Sequence, residues 1–194
     1  MPNQKSKIGN LYSSVFYLLS SVFCLICVGC SKTEKFQMLE WGTGQWVAYK
    51  VNGEPIKISI VGEDSNMFWI ETVEPQIVVK VLVEAGKLNE PKRLIVKQVG
   101  ESAIEFQNTE FSAESGLPVM KVEDFGKKEI IVLPCGKFKV VHLKENAKDV
   151  WVSEDIPILG IAKYKSEDTL VVLQDYGLKG AKSEITEAVG NVSL

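Results

Sequence analysis

Short β-rich segments separated by turn residues run through the chain from residue 45 onward, and this pattern most constrains the fold. Ile56, Ile58 and Ile60 alternate with polar residues, which predicts a strand with one buried face. Asn52-Gly53 joins two such segments and is typical of a tight β-hairpin, because both residues tolerate positive φ. The predicted strands follow one another at intervals of roughly ten residues: 45–51, 56–61, 67–73, 77–83, 94–99, 103–106, 119–122, 129–133, 138–143, 150–153, 159–164 and 169–174.

Helical patterns are scarce in the same region. No segment of twelve or more residues shows a convincing 3.6-residue apolar repeat, and parallel strands would need such helices as crossover connections. Residues 109–116 could hold a helical turn, and residues 182–189 are ambiguous between a last strand and a short helix. The sequence therefore predicts a mainly β domain with a single antiparallel, strongly twisted and curved sheet and few short helices.

The first 30 residues have the features of an export signal. Lys5 and Lys7 precede the apolar run Leu11–Gly29, and Cys30 follows that run directly. Basic residues, an apolar stretch and small residues before a cleavage point define a secretory leader. The end of the run resembles the bacterial lipobox, in which the cysteine is lipidated and becomes the new N-terminus, although Cys27 stands where leucine is usual.

This interpretation places the domain in the cell envelope, anchored by acyl chains such as palmitate at Cys30 and facing the periplasm or the exterior. Ser31, directly after the cysteine, would permit transport to an outer membrane in an organism that has one. An uncleaved membrane anchor and a plain secreted form are the alternatives, since the apolar run approaches the roughly 20 residues of a membrane span. All three place the domain outside the cytoplasm, because lysines stay on the cytoplasmic side. The predicted parts are a signal peptide (1–29), a lipidated tether (30–40) and a β half-barrel domain (41–194).

Composition bounds the partners of this domain. Removal of residues 1–29 from the 194-residue chain leaves 165 residues, the size of one domain. The leader carries two lysines and no acidic residue, so the formal charge of −3 becomes −5. A mildly acidic domain lacks the basic footprint of a nucleic-acid-binding protein, and no nucleic-acid partner is expected. A domain of this length buries roughly 70 % of its unfolded surface and needs no disulfide to fold.

The residues that usually carry catalysis or bind metals are few. Three of the four cysteines lie in the leader or at its end, so Cys135 has no intramolecular partner and is an inert buried thiol, a reactive thiol or part of an intermolecular disulfide. His142 is the only histidine, and it shares a strand face with Phe138 and Val140, which favours a core or half-exposed imidazole. Nucleophile-elbow, phosphate-loop and zinc-ligand patterns are missing. The sequence thus predicts a non-catalytic protein without a metal or cofactor.

Aromatic residues are spread along the predicted strands, where they either fill the core or line a concave apolar surface. A curved open sheet of about ten strands cannot fill its inner face from itself, and a helix or a ligand has to occupy it. Few residues remain outside the predicted strands to form a plug. The candidate cavity-lining residues are Trp46, Trp69, Phe138 and Trp151.

Several stretches resemble bacterial lipoproteins and periplasmic proteins of uncharacterised function. Residues 135–143 form a strand that leads, over 150–160, into a Trp-x-Ser segment and a proline–glycine bend. Gly44-x-Trp46-x-x-Tyr49 and Trp69-x-Glu71 are similar to those families too. The resemblance implies the open half-barrel of the lipoprotein-carrier superfamily, whose concave apolar face holds acyl chains.

Three functional hypotheses follow. The first is a membrane-anchored binding protein whose apolar concavity receives a lipid, an acyl chain or another lipoprotein. The second is a structural or interaction protein of a cell-envelope complex, with a self-filled core. The third, an enzyme, would need Cys135 or a serine near His142. The predicted partners are the membrane, through the acyl anchor at Cys30, and either a lipid or an envelope protein.

Overall fold

The computed structural model describes residues 38–85, 87–88, 90–107, 126–186 and 190–193. These residues form a mainly β domain without any helix among them, and the predicted fold class is confirmed. The strands are β1 (Trp46–Val51), β2 (Glu54–Asp64), β3 (Met67–Glu74), β4 (Ile77–Glu84), β5 (Arg93–Gln98), β6 (Ile104–Gln107), β7 (Lys127–Leu133), β8 (Gly136–Glu145), β9 (Lys148–Val152), β10 (Ile161–Lys165), β11 (Leu170–Gly177) and β12 (Gly190–Ser193).

All these strands belong to one sheet, in the order β12-β6-β5-β4-β3-β2-β1-β11-β10-β9-β8-β7. Strands that follow one another pair antiparallel from β1 to β6 and again from β7 to β11. The antiparallel pairing of β1 with β11 joins these two halves, whereas β12 lies parallel to β6. Strands β7 and β12 are the two edge strands and do not pair with each other, so the sheet of the described residues stays open.

The hairpin predicted at Asn52-Gly53 is confirmed. Asn52 and Gly53 have φ angles of 51° and 95°, and Val51 pairs with Glu54 where β1 turns into β2. Positive φ at both central residues is the geometry of a type I′ turn, whose twist matches that of the flanking strands. Asn146, with φ of 52°, lies in the turn between β8 and β9, and its short polar side chain makes this conformation accessible.

The sheet curves strongly around its core. β8 and β11 are three strands apart, which in a flat sheet would separate them by about 14 Å. The rings of Phe138 on β8 and Tyr176 on β11 nevertheless have centroids 5.7 Å apart. The inward-facing residues form one apolar core that includes Val47, Tyr49, Ile58, Ile60, Ile70, Val79, Val83, Leu94, Val150, Val152, Tyr164 and Leu173.

Strand β8 changes its buried side along its length. Phe138 and Val140 are buried in its first half, whereas Leu143, which has the opposite alternation, is buried in its second half. Its pairings with β7 and β9 keep a regular register, so we attribute the change to twist of the hairpin. Val141 pairs with Val152, the last residue of β9, so the first half of β8 extends beyond β9.

Some predicted boundaries differ from the structure. The strand predicted at 159–164 begins only at Ile161, because Leu159 lies in a buried loop and Gly160 has a φ of 66°. Residues 182–186 form neither a helix nor a strand. The strand predicted at 119–122 and the helical turn at 109–116 lie outside the described residues. Within the part of the chain that the structure describes, no helix has the length and apolar character to cross a bilayer.

Candidate functional site

The four residues predicted to line a cavity do not lie together. Phe138 is buried in the core, against Tyr176. Trp46 and Trp69 alternate with core residues of β1 and β3, and therefore lie on the outer face of the sheet. Trp151 alternates with buried Val150 and Val152 on β9, and it packs partly buried against the core. A cationic group lies over each of these indole rings: Lys57 over Trp46, Lys80 and Arg93 over Trp69, and Lys163 over Trp151.

A loop fills the core at the place where the sequence suggested a cavity. Residues 153–160 connect β9 to β10, and Ile156 and Ile158 within this loop are both 0 % exposed. Leu159 is buried in the same cluster. The indole Nε1 of Trp41 donates a hydrogen bond of 3.1 Å to the carbonyl oxygen of Ile158, which satisfies a main-chain acceptor inside the loop. This segment therefore acts as an internal plug.

Backbone strain marks the same loop. Ile158 has a φ of 66°, in the left-handed region that a β-branched residue rarely adopts. Such a conformation costs about 1–2 kcal/mol and persists only where the surroundings impose it. Here the imposing contacts are the complete burial of the Ile158 side chain and the hydrogen bond from Trp41. The strain therefore indicates that the plug is held firmly in place.

His142 of β8 belongs to a polar cluster with Glu129 of β7 and with Asp149 and Trp151 of β9. Its Nε2 lies 2.7 Å from Oδ1 of Asp149, and its ring stacks on Trp151 with centroids 4.3 Å apart. The Trp151 Nε1 donates a 2.7 Å hydrogen bond to Oε1 of Glu129, and this oxygen lies 3.6 Å from Nδ1 of His142. The imidazole is about one-quarter exposed, with a carboxylate near each ring nitrogen. This arrangement orients the ring within the sheet surface.

Cys135 lies too far from His142 to form a catalytic dyad. Cys135 directly precedes β8, and His142 lies seven residues further along the chain, which at the rise of a strand corresponds to about 23 Å. Burial raises the pKa of the Cys135 thiol, and the nearby Asp175 carboxylate raises it further. Both effects disfavour the thiolate, which is the reactive form. The described residues contain no group of three histidine, cysteine or acidic side chains placed to hold a metal ion.

Sequence reasoning missed a buried carboxylate on the outer face of β3. Glu71 is only 1 % exposed, and it accepts hydrogen bonds from the Ser183 hydroxyl at 2.6 Å and from the main-chain N–H of Glu184 at 2.8 Å. The Lys80 ammonium donates to the same Ser183 hydroxyl at 3.1 Å. Glu71 thereby fixes residues 178–186, which we call the C-terminal strap, to the outer face. The only sequence signal was a lone acidic residue within a predicted strand.

Further contacts hold the strap beside this carboxylate. Ile185 packs with Ile95 and Ala103 in a small second core, against which Trp69 is also packed. The Arg93 guanidinium lies 4.9 Å from the centroid of the Trp69 ring. The outer face around Glu71 and Trp69 is therefore covered by the C-terminal strap.

An ion pair adjoins the second core. Arg93 donates to both carboxylate oxygens of Glu105, at 2.6 and 3.0 Å. This hydrogen bonding holds the pKa of Glu105 below its usual range. The pair therefore contributes most when Glu105 is ionised, and its contribution declines as the pH falls through that lowered pKa.

Tyr49→Phe is expected to cost about 1 kcal/mol at neutral pH, because the Tyr49 hydroxyl donates a buried 3.0 Å hydrogen bond to the Ile161 carbonyl oxygen. Burial also raises the pKa of Tyr49 far above its usual range. Above about pH 10 the unfolded chain loses this proton while the folded chain keeps it, so wild-type stability falls by about 1.4 kcal/mol per pH unit. Urea unfolding should show the difference between wild type and variant closing by pH 11. A constant difference across this range would contradict the buried hydroxyl.

Comparison with known proteins gives no family for this chain. No protein-family model and no curated protein matches it. Among solved structures, it is similar to the structure of PNGF-II in space group P21, with a TM-score of 0.32 and 11 % sequence identity. The match covers 79 % of this chain and 31 % of that chain, so this chain spans about a third of the length of PNGF-II. A similarity at this level carries no argument about fold or function.

Proposed function

We propose that this chain is a lipid-anchored cell-envelope protein that acts through the surface of a self-filled β domain, as an interaction or structural protein. The plug carries the proposal, since Ile156 and Ile158 occupy the core with no exposed surface. A cavity for an acyl chain would need that space, because ligand sites of this kind are concave and apolar. The packing thus favours the interaction hypothesis over lipid binding in a concavity.

The proposed location depends on the N-terminal sequence. The leader 1–29 and Cys30 lie outside the described residues, so the lipid anchor is a proposal from the lipobox-like pattern. The first described residue, Met38, is eight positions after Cys30, which limits its distance from an acylated cysteine to about 28 Å. A domain tethered this closely would work at the bilayer surface.

Lipid binding in the concavity stays a prediction, and a ligand titration separates it from the proposed function. The purified, delipidated full chain is titrated with a fluorescent fatty-acid probe in a mild detergent, with empty micelles as the blank. We expect no saturable binding, because the plug fills the core. Saturable binding at one probe per chain would overturn the proposal in favour of an acyl-chain carrier.

A cavity-forming variant tests the plug with a ligand smaller than the fatty-acid probe. Ile156→Ala removes a fully buried side chain and should admit a small apolar probe such as benzene, since apolar cavities of this kind stay dry and bind such molecules. Leu170→Ala, at an exposed residue of β11, should behave like the wild type. Benzene binding by Ile156→Ala, and not by Leu170→Ala or the wild type, would show that the plug fills the space a ligand would need.

A further inference from the structure

The hairpin of β7 and β8 presents an exposed surface with both aliphatic and basic side chains. Ile130 and Val132 on β7 are 68 % and 71 % exposed. Their cross-strand partners on β8 are Lys139 and Lys137, which are exposed as well. Directly paired residues share a sheet face, so these four side chains form one surface, the basic–aliphatic patch.

The charge of this patch is opposite to that of the domain. Residues 130–141 contain two lysines and no acidic residue, in a chain whose formal net charge is −3. Glu129, the acidic residue next to this stretch, lies on the other face of β7, where it binds the Trp151 indole. Aliphatic side chains flanked by lysines fit a partner that has an anionic outer layer over an apolar interior.

The patch lies at the same end of the strands as Met38, the first described residue after Cys30. The first half of β8 extends beyond β9 at Val152, and the plug leaves β9 at the same end. Gly160, at the end of the plug, lies close to Met38, since a Cβ built there would be 3.8 Å from the methionine side chain. A tether at Cys30 would therefore hold this end of the sheet toward the membrane.

We propose that the basic–aliphatic patch docks on the anionic surface of the bilayer. Ile130 and Val132 enter the headgroup region, and the ammonium groups of Lys137 and Lys139 bind lipid phosphates. A second copy of the chain is a poorer occupant, because it would bring the same lysines to the contact. The orientation of the patch toward the membrane rests on the proposed anchor at Cys30, whereas the exposed aliphatic and basic side chains of the patch do not depend on that anchor.

Depth-dependent quenching tests this docking in the full chain. An environment-sensitive fluorescent amino acid replaces Val132, and the protein is reconstituted into vesicles that contain brominated lipids. We expect quenching in phosphatidylcholine mixed with phosphatidylglycerol and little quenching in phosphatidylcholine alone. The same fluorophore in place of Leu170, an exposed apolar residue of β11, is the matched control and should stay unquenched in both.

Charge-removing variants determine whether the lysines contribute. Lys137→Gln combined with Lys139→Gln should lower the equilibrium constant for docking by about 25-fold, since each lysine near an anionic surface contributes about fivefold. Both lysines are exposed, so this variant should unfold at the same urea concentration as the wild type. Quenching that survives the double substitution would overturn the proposal.

The remaining outcomes are also decisive. Equal quenching in neutral and anionic vesicles, or its absence from both, overturns the proposal. Shielding of the fluorophore in detergent that increases with protein concentration overturns it in favour of self-association. Palmitate labelling that depends on Cys30 tests the anchor separately. If palmitate does not label the protein but quenching persists, the proposed lipid anchor is wrong and the docking surface still stands.

Discussion

Ile156→Ala is expected to lower the free energy of unfolding by about 4 kcal/mol. Ile156 is 0 % exposed and lies in the plug between β9 and β10. Large-to-small changes at such sites lose the transfer free energy of the deleted atoms and also leave a cavity. The strained left-handed backbone at Ile158 and its hydrogen bond from Trp41 hold the loop, which limits its collapse into the space. Urea unfolding followed by tryptophan fluorescence measures the loss.

A matched substitution at the surface separates this effect from a general loss of aliphatic side chains. Val132→Ala removes two methyl groups from a residue that is 71 % exposed, and we expect a change within about 0.5 kcal/mol. If Ile156→Ala cost less than about 1 kcal/mol, the plug would be loosely packed. A self-filled core would then be contradicted.

Glu71→Ala is expected to cost about 3 kcal/mol and to release the C-terminal strap. The substitution removes the carboxylate oxygens to which the Ser183 hydroxyl and the Glu184 N–H donate, and hydrogen bonds to a charged group contribute about 1.5–3 kcal/mol each. Hydrogen exchange should therefore show the Glu184 amide exchanging faster in the variant. Limited proteolysis should cut residues 178–186 more readily than in the wild type.

Two variants control this result. Glu71→Gln keeps one acceptor oxygen and the shape of the side chain, so it should lose less stability than Glu71→Ala. Glu63→Ala removes an exposed carboxylate from β2 and should change neither the stability nor the exchange of the strap. Unchanged protection of the Glu184 amide in Glu71→Ala would show that the strap is held by its packing against Ile95 alone.

The strands were predictable from sequence because a period of two and a turn dipeptide such as Asn52-Gly53 are local signals. The plug was not predictable in the same way. Predicted strands 150–153 and 159–164 left only Ile156 and its neighbours between them, so the chain appeared to lack residues for filling the core. The structure starts β10 at Ile161, and the whole loop becomes available for that purpose.

The faces of the aromatic residues were also beyond sequence reasoning. The alternation of side chains places Trp46 on one face of β1 and Val47 and Tyr49 on the other face. It does not indicate which of these two faces lies toward the core. Glu71 posed a different difficulty, since its hydrogen-bond partners lie 112 and 113 residues further along the chain. Contacts over such a distance depend on the completed topology and leave no local pattern.

The pairing of β1 with β11 has a consequence for biogenesis. These neighbours in the middle of the sheet are far apart in sequence: Val51 pairs with Val171, 120 residues later, and Trp46 pairs with Gly177, 131 residues later. The ladder between β1 and β11 cannot form until residues 171–177 have been synthesised, and non-local pairings of this kind make folding slow. Until then β2 is the only available partner of β1, and the other edge of β1 stays unpaired.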